Sequence, residues 1–279
     1  MTPFYNNAGV TIYNADCVDL MKQCPDNAFD LAIVDPPYGI SAPKMGMGAG
    51  FSDGKYYSGG RKNRLSQGAG KLKDRKLQTM GSEWDANPPS PEYFAELRRV
   101  SKNQIIWGGN YFDLPPTRCI VCWDKEQPWE NFSQWEMAWT SFDRPAAIFK
   151  HQNGGQEPGK IHPTQKPVKL YSWLLSRFAK PGQAILDTHL GSGSIAIACR
   201  EFGASLVATE INLAYVTGAV SRISREFAQS IMFSDVAANQ ISQGVMALNA
   251  GESPETESGL VPLNQPGNPV LGQQSPTDN

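Results

Sequence analysis

Long apolar runs are missing from this 279-residue chain. None approaches the ~20 residues of a membrane span, and the N-terminus has no basic stretch followed by an apolar one of the kind that directs secretion. A cytosolic protein with no membrane contact is expected. Cysteine is scarce and poorly placed for a disulfide framework: Cys17, Cys24, Cys119, Cys122 and Cys199 are odd in number and scattered. Cys119 and Cys122 have zinc-like spacing inside an apolar run, but no second pair accompanies them, so buried strand residues and no metal site are expected. Basic residues are absent after Arg225, where Glu226, Asp235, Glu252, Glu255, Glu257 and Asp278 make the tail negative. Beyond about Ser234 the chain is rich in Gly, Pro, Ser, Asn and Gln, and a disordered tail over 231–279 is expected.

What the tail lacks is concentrated elsewhere. Net charge is −2 overall, yet Lys55, Arg61, Lys62, Arg64, Lys71, Lys73, Arg75 and Lys76 stand against one acid, Asp74, in a Gly- and Ser-rich stretch. Such a basic loop suits a polyanion. It lies within 41–84, a segment without clear periodicity, too long for a simple connection and expected to be mobile until substrate binds.

The length allows one large α/β domain or two small ones. Strands are expected at Val10–Tyr13, Leu31–Val34, Gln104–Trp107, Cys119–Trp123, Gln134–Thr140, Ala184–Leu186 and Leu206–Thr209, with a further candidate at Ala146–Phe149. Ser90 and Pro91 signal the start of a helix running to Val100. A short helix and turn, ended by Pro25-Asp26-Asn27, is expected over 17–28, and further helices over 166–180, 195–202 and 212–227.

The strand at Leu31–Val34 is continuously apolar and stops at Asp35-Pro36-Pro37-Tyr38, because proline has no N–H to continue a ladder. Ligands of open α/β sheets bind beyond the carboxyl ends of their strands, so Asp35 and Tyr38 fall where chemistry is expected. A stiff turn bearing a carboxylate and an aromatic face suits a planar nitrogen base. Asp16 and Glu210 likewise follow strands. Glycines in Asp187-Thr188-His189-Leu190-Gly191-Ser192-Gly193-Ser194 allow a backbone to approach a ligand closely, and an acid one strand later, Glu210, can accept from ribose hydroxyls.

Asp35-Pro36-Pro37-Tyr38, His162-Pro163-Thr164-Gln165-Lys166-Pro167 and the glycine loop together resemble the amino-directed DNA methyltransferases. Because the acidic motif precedes the glycine loop, the similarity is to their permuted β class. The resemblance implies a circularly permuted Rossmann-like methyltransferase fold, with a mostly parallel seven-stranded sheet covered by helices on both faces, over a catalytic domain at 1–230. It implies methyl transfer from S-adenosylmethionine to adenine N6 of a base flipped out of double-stranded DNA. Cytosine N4, RNA and a degraded, non-catalytic DNA-binding relative are the alternatives. Asp35, Pro36, Pro37 and Tyr38 would be catalytic. Asp16, Lys166, Asp187, His189, Gly191, Gly193, Ser194 and Glu210 would hold the cofactor, with Lys166 at its methionine carboxylate. Lys55, Arg61, Lys62, Arg64, Lys71 and Lys73 would contact DNA. The family usually has an aromatic where this chain has His189. A companion restriction enzyme and an oligomer are compatible with the resemblance, and the sequence identifies neither.

Overall fold

A computed structural model describes residues 1–40, 85–127, 133–152, 161 and 164–229, together with the backbone of 50–52 and 55–57. The expected tail and most of the basic loop, including Arg61, Lys62, Arg64, Lys71 and Lys73, lie outside the described residues, as do His162, Pro163 and the side chain of Lys55.

The chain opens with a hairpin. Strands β1 (Tyr5–Asn7) and β2 (Val10–Tyr13) are joined by Ala8 and Gly9, both at positive φ (50° and 79°), the geometry of a tight two-residue turn that suits twisted strands. Helix α1 (Cys17–Gln23) follows, then β3 (Leu31–Val34) and a separate antiparallel pair, β4 (Gly50–Ser52) with β5 (Lys55–Tyr57). Helix α2 (Pro91–Val100) starts at Ser90, whose hydroxyl accepts the Tyr93 N–H, with Pro91 in its first turn. Next come β6 (Gln104–Trp107), β7 (Ile120–Asp124), β8 (Trp135–Thr140) and β9 (Ala147–Lys150). The last elements are α3 (Val168–Phe178), β10 (Ala184–Asp187), α4 (Ser194–Phe202), β11 (Ser205–Thr209) and α5 (213–229).

One sheet takes nine of these strands in the order β1-β2-β11-β10-β3-β6-β8-β7-β9. The expected seven strands are therefore corrected to nine. The two beyond seven are at the edges: β1, which the Ala8-Gly9 turn folds back despite its polar Asn6 and Asn7, and β9, the further candidate at Ala146–Phe149, which joins β7 in parallel. The five strands from β2 to β6 run parallel; β8 and β7 then alternate in direction.

Side chains alternate across a strand, and here that alternation sorts the core into two. Leu31, Ile33, Ile105, Trp107 and Ile185 face one way, onto α3, α4 and α5 through Leu170, Leu174, Ala196, Ala219 and Ile223. Ala32, Val34, Ile106 and Leu186 face the other way, onto α1 and α2 through Met21, Tyr93, Phe94 and Leu97. Helices thus cover both faces. Burying a leucine such as Leu174 contributes ~2 kcal/mol.

Chain order and space disagree in one place. β2 lies parallel beside β11, with Leu206 opposite Val10 and Thr209 opposite Tyr13, as the strand following α5 would in a βαβ unit. Phe227 near the end of α5 belongs to the same apolar cluster as Val10 and Ile12. The early strand completes a unit that the late strand begins, which is the permutation expected from motif order.

Candidate active site

Strand polarity determines which residues meet. The carboxyl ends of β2, β11, β10, β3 and β6 share one edge of the sheet, bringing Asn14, Glu210, Asp187, Asp35 and Gly108 to it. Because β8 is antiparallel to β6 and β7 antiparallel to β8, the start of β8 and the end of β7 reach the same edge. Glu136 and Lys125 arrive there too. A cavity of about 1150 Å³ opens along this edge, and its wall includes Asp35, Pro36, Pro37, Tyr38, Lys166 and Glu210. That is more than a single drug-sized ligand needs.

Asp35 has both oxygens engaged. Oδ1 accepts the Tyr38 hydroxyl at 2.6 Å, and Oδ2 lies 2.5 Å from the Lys166 ammonium. Burial, and then the neighbouring Asp35, push the Tyr38 phenol well above its ordinary range, so it stays a donor. The Tyr38 ring stacks on Tyr111 at 4.9 Å between centroids and 13° between planes. It also packs against Gly108, which sits at φ +69°; a Cβ there would come within 2.2 Å of Tyr38 Cε1. Asp85, 1 % exposed, clamps the turn from outside, accepting the Tyr38 N–H at 2.5 Å and the Gly39 N–H at 2.9 Å.

Lys166 is itself buried and lies 3.2 Å from Glu136 Oε2, while Glu136 Oε1 meets Lys125 at 2.6 Å. Burial opposes charge on Lys166, but Asp35 and Glu136 outweigh it and raise its pKa. Burial likewise opposes ionisation of Glu136, and Lys166 and Lys125 overcome it, bringing the carboxyl down to about 2.

At the glycine loop, Glu210 is anchored by backbone donors. Its Oε2 accepts Gly191 N–H and its Oε1 accepts Asn212 N–H, each at 2.9 Å. Burial raises its pKa against those hydrogen bonds. Asp187 is buried behind the loop, accepts the His189 N–H at 3.0 Å, and is pushed by burial up to about 7. His189 lies in the cavity wall, where burial brings it down to about 4. Its Nδ1 is 2.9 Å from the Thr188 hydroxyl, which in turn meets the buried Tyr93 hydroxyl at 2.7 Å.

Lys166, His189, Gly191 and Glu210 join the four motif residues around the cavity, whereas Asp16, Asp187, Gly193 and Ser194 stand back from its wall. Asp16 caps α1 through the Val18 and Asp19 N–H groups. Ser194 accepts from Arg222 at 2.9 Å. Gly193, at φ +75°, faces Ile223, whose Cδ1 would be 2.8 Å from an added Cβ. Its lack of a side chain serves helix packing. Lys166, in the cavity wall, meets Asp35. Sequence reading missed Asp85, Tyr111, Lys125 and Glu136; the one signal available was an acid inside the apolar alternation of 134–140.

The family model for DNA methylases matches residues 106–221. A Type II methyltransferase of Moraxella bovis, M2.MboI, is 26% identical, with 67% of this chain and 77% of that protein covered. M.HpaI of Haemophilus parainfluenzae is 33% identical over 79 residues, 28% of this chain and 25% of its own length. Among solved structures, the cytosine-N4-specific PvuII DNA methyltransferase superposes with a TM-score of 0.49 at 12% identity, covering 81% of this chain and 94% of that one. The DNA methylase match over residues 106–221 and the likeness to M2.MboI, with the acidic turn and the glycine loop opening on one cavity, support an amino-directed methyltransferase.

Proposed function

We propose that this chain methylates adenine N6 in double-stranded DNA, using S-adenosylmethionine. The observation that carries the reading is the Asp35-Pro36-Pro37-Tyr38 turn sharing one cavity with Gly191 and Glu210.

The residues present fit the cofactor. Glu210 is held by two backbone N–H groups, which leaves its remaining lone pairs for ribose hydroxyls. Glu210 gives the cavity an acidic group suited to a cation, Asp35 is balanced by Lys166, and His189, brought down to about 4, adds no further positive charge at neutral pH. When bound, S-adenosylmethionine supplies an electrophilic methyl carbon on positively charged sulfur.

This chain's own residues do the rest. A base in a duplex cannot reach the cavity, so it is flipped out at a cost of a few kcal/mol. Tyr38 stacks on the flipped base. Asp35 Oδ1 exchanges the Tyr38 hydroxyl for the exocyclic amino group, and the Pro36 carbonyl accepts its second N–H. These bonds draw the nitrogen lone pair out of conjugation and orient it, which is positioning plus electrostatics. Asp35 Oδ1 is placed to take the proton that the methylated nitrogen loses. The bases from Lys55 to Lys76 hold phosphates, giving salt-dependent affinity without sequence choice. Adenine is favoured by the aspartate at the first motif position, because relatives with aspartate there mostly methylate adenine.

The test is incubation with methyl-labelled S-adenosylmethionine and mixed duplex DNA, followed by digestion to nucleosides. Label on N6-methyladenosine, lost in Asp35→Ala while DNA binding persists, is expected. Label on N4-methylcytosine would keep the mechanism and overturn the base assignment.

A further inference from the structure

Lys166 resembles no residue waiting for a ligand. Only 4% of it is exposed, and its ammonium already lies 2.5 Å from Asp35 Oδ2 and 3.2 Å from Glu136 Oε2, with the Trp107 ring 5.1 Å away. We propose that Lys166 is a positioning residue for Asp35, held in place by Glu136 and Lys125, and that it does not anchor the cofactor's carboxylate. This rests on the reading of Asp35 as the acceptor of the target amino group.

Three features carry it. The first is alternation of charge: Lys125, Glu136, Lys166 and Asp35 follow one another at 2.6, 3.2 and 2.5 Å, two cations and two anions in sequence. Turning Lys166 towards a ligand would take its cation from Asp35 and leave Glu136 with Lys125 alone, and breaking a buried ion pair is costly. The second is the division of labour at Asp35. Lys166 occupies Oδ2, which fixes the carboxylate's rotation and leaves Oδ1 to exchange the Tyr38 hydroxyl for substrate. The third is the source of the chain of charges. Its members come from the end of β7, the start of β8, the segment before α3 and the end of β3, so sheet packing holds Asp35 from the side opposite its own turn.

Lys166→Met keeps the length and volume of the side chain and removes the charge. With cofactor and DNA saturating, its single-turnover methylation rate is expected to fall ~100-fold, the scale of a misplaced reacting group, while cofactor Kd changes less than ~3-fold. Lys166→Arg is expected to recover at least ~10-fold of that loss, because it retains the charge. In an Asp35→Asn background, Lys166→Met is expected to slow the reaction less than ~3-fold further, since groups acting as one unit are non-additive. Should Lys166→Met fold poorly, Glu136→Gln serves in its place, with a smaller rate loss at unchanged cofactor Kd. A rise of ~10-fold or more in cofactor Kd, with full rate restored at saturation, would overturn the proposal in favour of a cofactor anchor. A lowered melting temperature with an unchanged single-turnover rate would overturn it in favour of a purely structural lysine. Full activity in Asp35→Asn would instead remove the functional reading beneath it.

Discussion

Replacing Gly193 by alanine separates two roles a glycine in this loop could have. The added Cβ would meet Ile223 Cδ1 at 2.8 Å and Cγ1 at 3.1 Å, and the backbone would remain at φ +75°. Left-handed backbone costs a non-glycine residue ~1–2 kcal/mol. Overpacking costs ~1–3 kcal/mol, here near the lower end because the atom struck is the tip of a flexible side chain. A loss of ~2–4 kcal/mol corresponds to a melting temperature lower by ~5–15 °C in a domain of this size. The two contributions can be measured apart. Ile223→Val removes Cδ1 and costs ~0.5–1.5 kcal/mol alone, but in the Gly193→Ala chain it should cost little or restore stability, a coupling of ~1 kcal/mol in a double-mutant cycle. Denaturant unfolding supplies the energies and calorimetry the cofactor affinity, which should stay within ~3-fold of the parent because Gly193 stands back from the cavity wall. Additive losses would refute the packing account, and a tenfold weaker cofactor would return Gly193 to the binding site.

The remaining expectations concern charge and the catalytic turn. Asp187, raised to about 7, contributes stability that is full below about pH 4 and lost as pH rises through 7; His189, lowered to about 4, contributes stability that is full above about 6.5 and lost as pH falls through 4. The two slopes oppose each other between about 4 and 6.5, so His189→Phe should make stability fall more steeply with rising pH and Asp187→Asn should tilt it upward. Unfolding curves parallel to the parent's across that range would contradict both. Asp85→Ala strands the Tyr38 and Gly39 N–H groups, a cost of ~2–4 kcal/mol, and should lower both the melting temperature and the single-turnover rate; an unchanged rate would show that the clamp is dispensable to the turn. Glu210→Gln loses a charge-assisted acceptor and should weaken cofactor binding ~10–100-fold by calorimetry, with less than a twofold change counting against a ribose contact.

The elements were legible where local chemistry decides them. Apolar runs marked Leu31–Val34 and Ala184–Leu186, Ser90-Pro91 marked the start of α2, and the Pro36-Pro37 stop placed Asp35 at a strand end. Residues whose importance depends on distant partners were not legible. Asp85 matters because the backbone of Tyr38 and Gly39 comes to it from across an aperiodic stretch. Lys125 meets Glu136, and Glu136 meets Lys166, only because β8 and β7 alternate in direction beside β6, and chain order does not reveal that alternation. Lys166 was legible as a site residue, but its ion pair with Asp35 was not, since Asp35 and a ligand carboxylate present a lysine with the same chemistry. The packing of Gly193 against Ile223 was not legible either, because Ile223 lies far along the chain.

The contact between Gly108 and Tyr38 has a practical use. A single methyl group at position 108 would displace the Tyr38 ring, since no Cβ fits 2.2 Å from Cε1. It would change no charge and no group assigned to phosphate, ribose or Asp35. Gly108→Ala is therefore expected to halt the enzyme after it has gathered DNA and donor. Such an arrested complex would accumulate rather than turn over, and a fluorescent adenine analogue at the target would report whether the base still leaves the helix when its stacking platform has been moved.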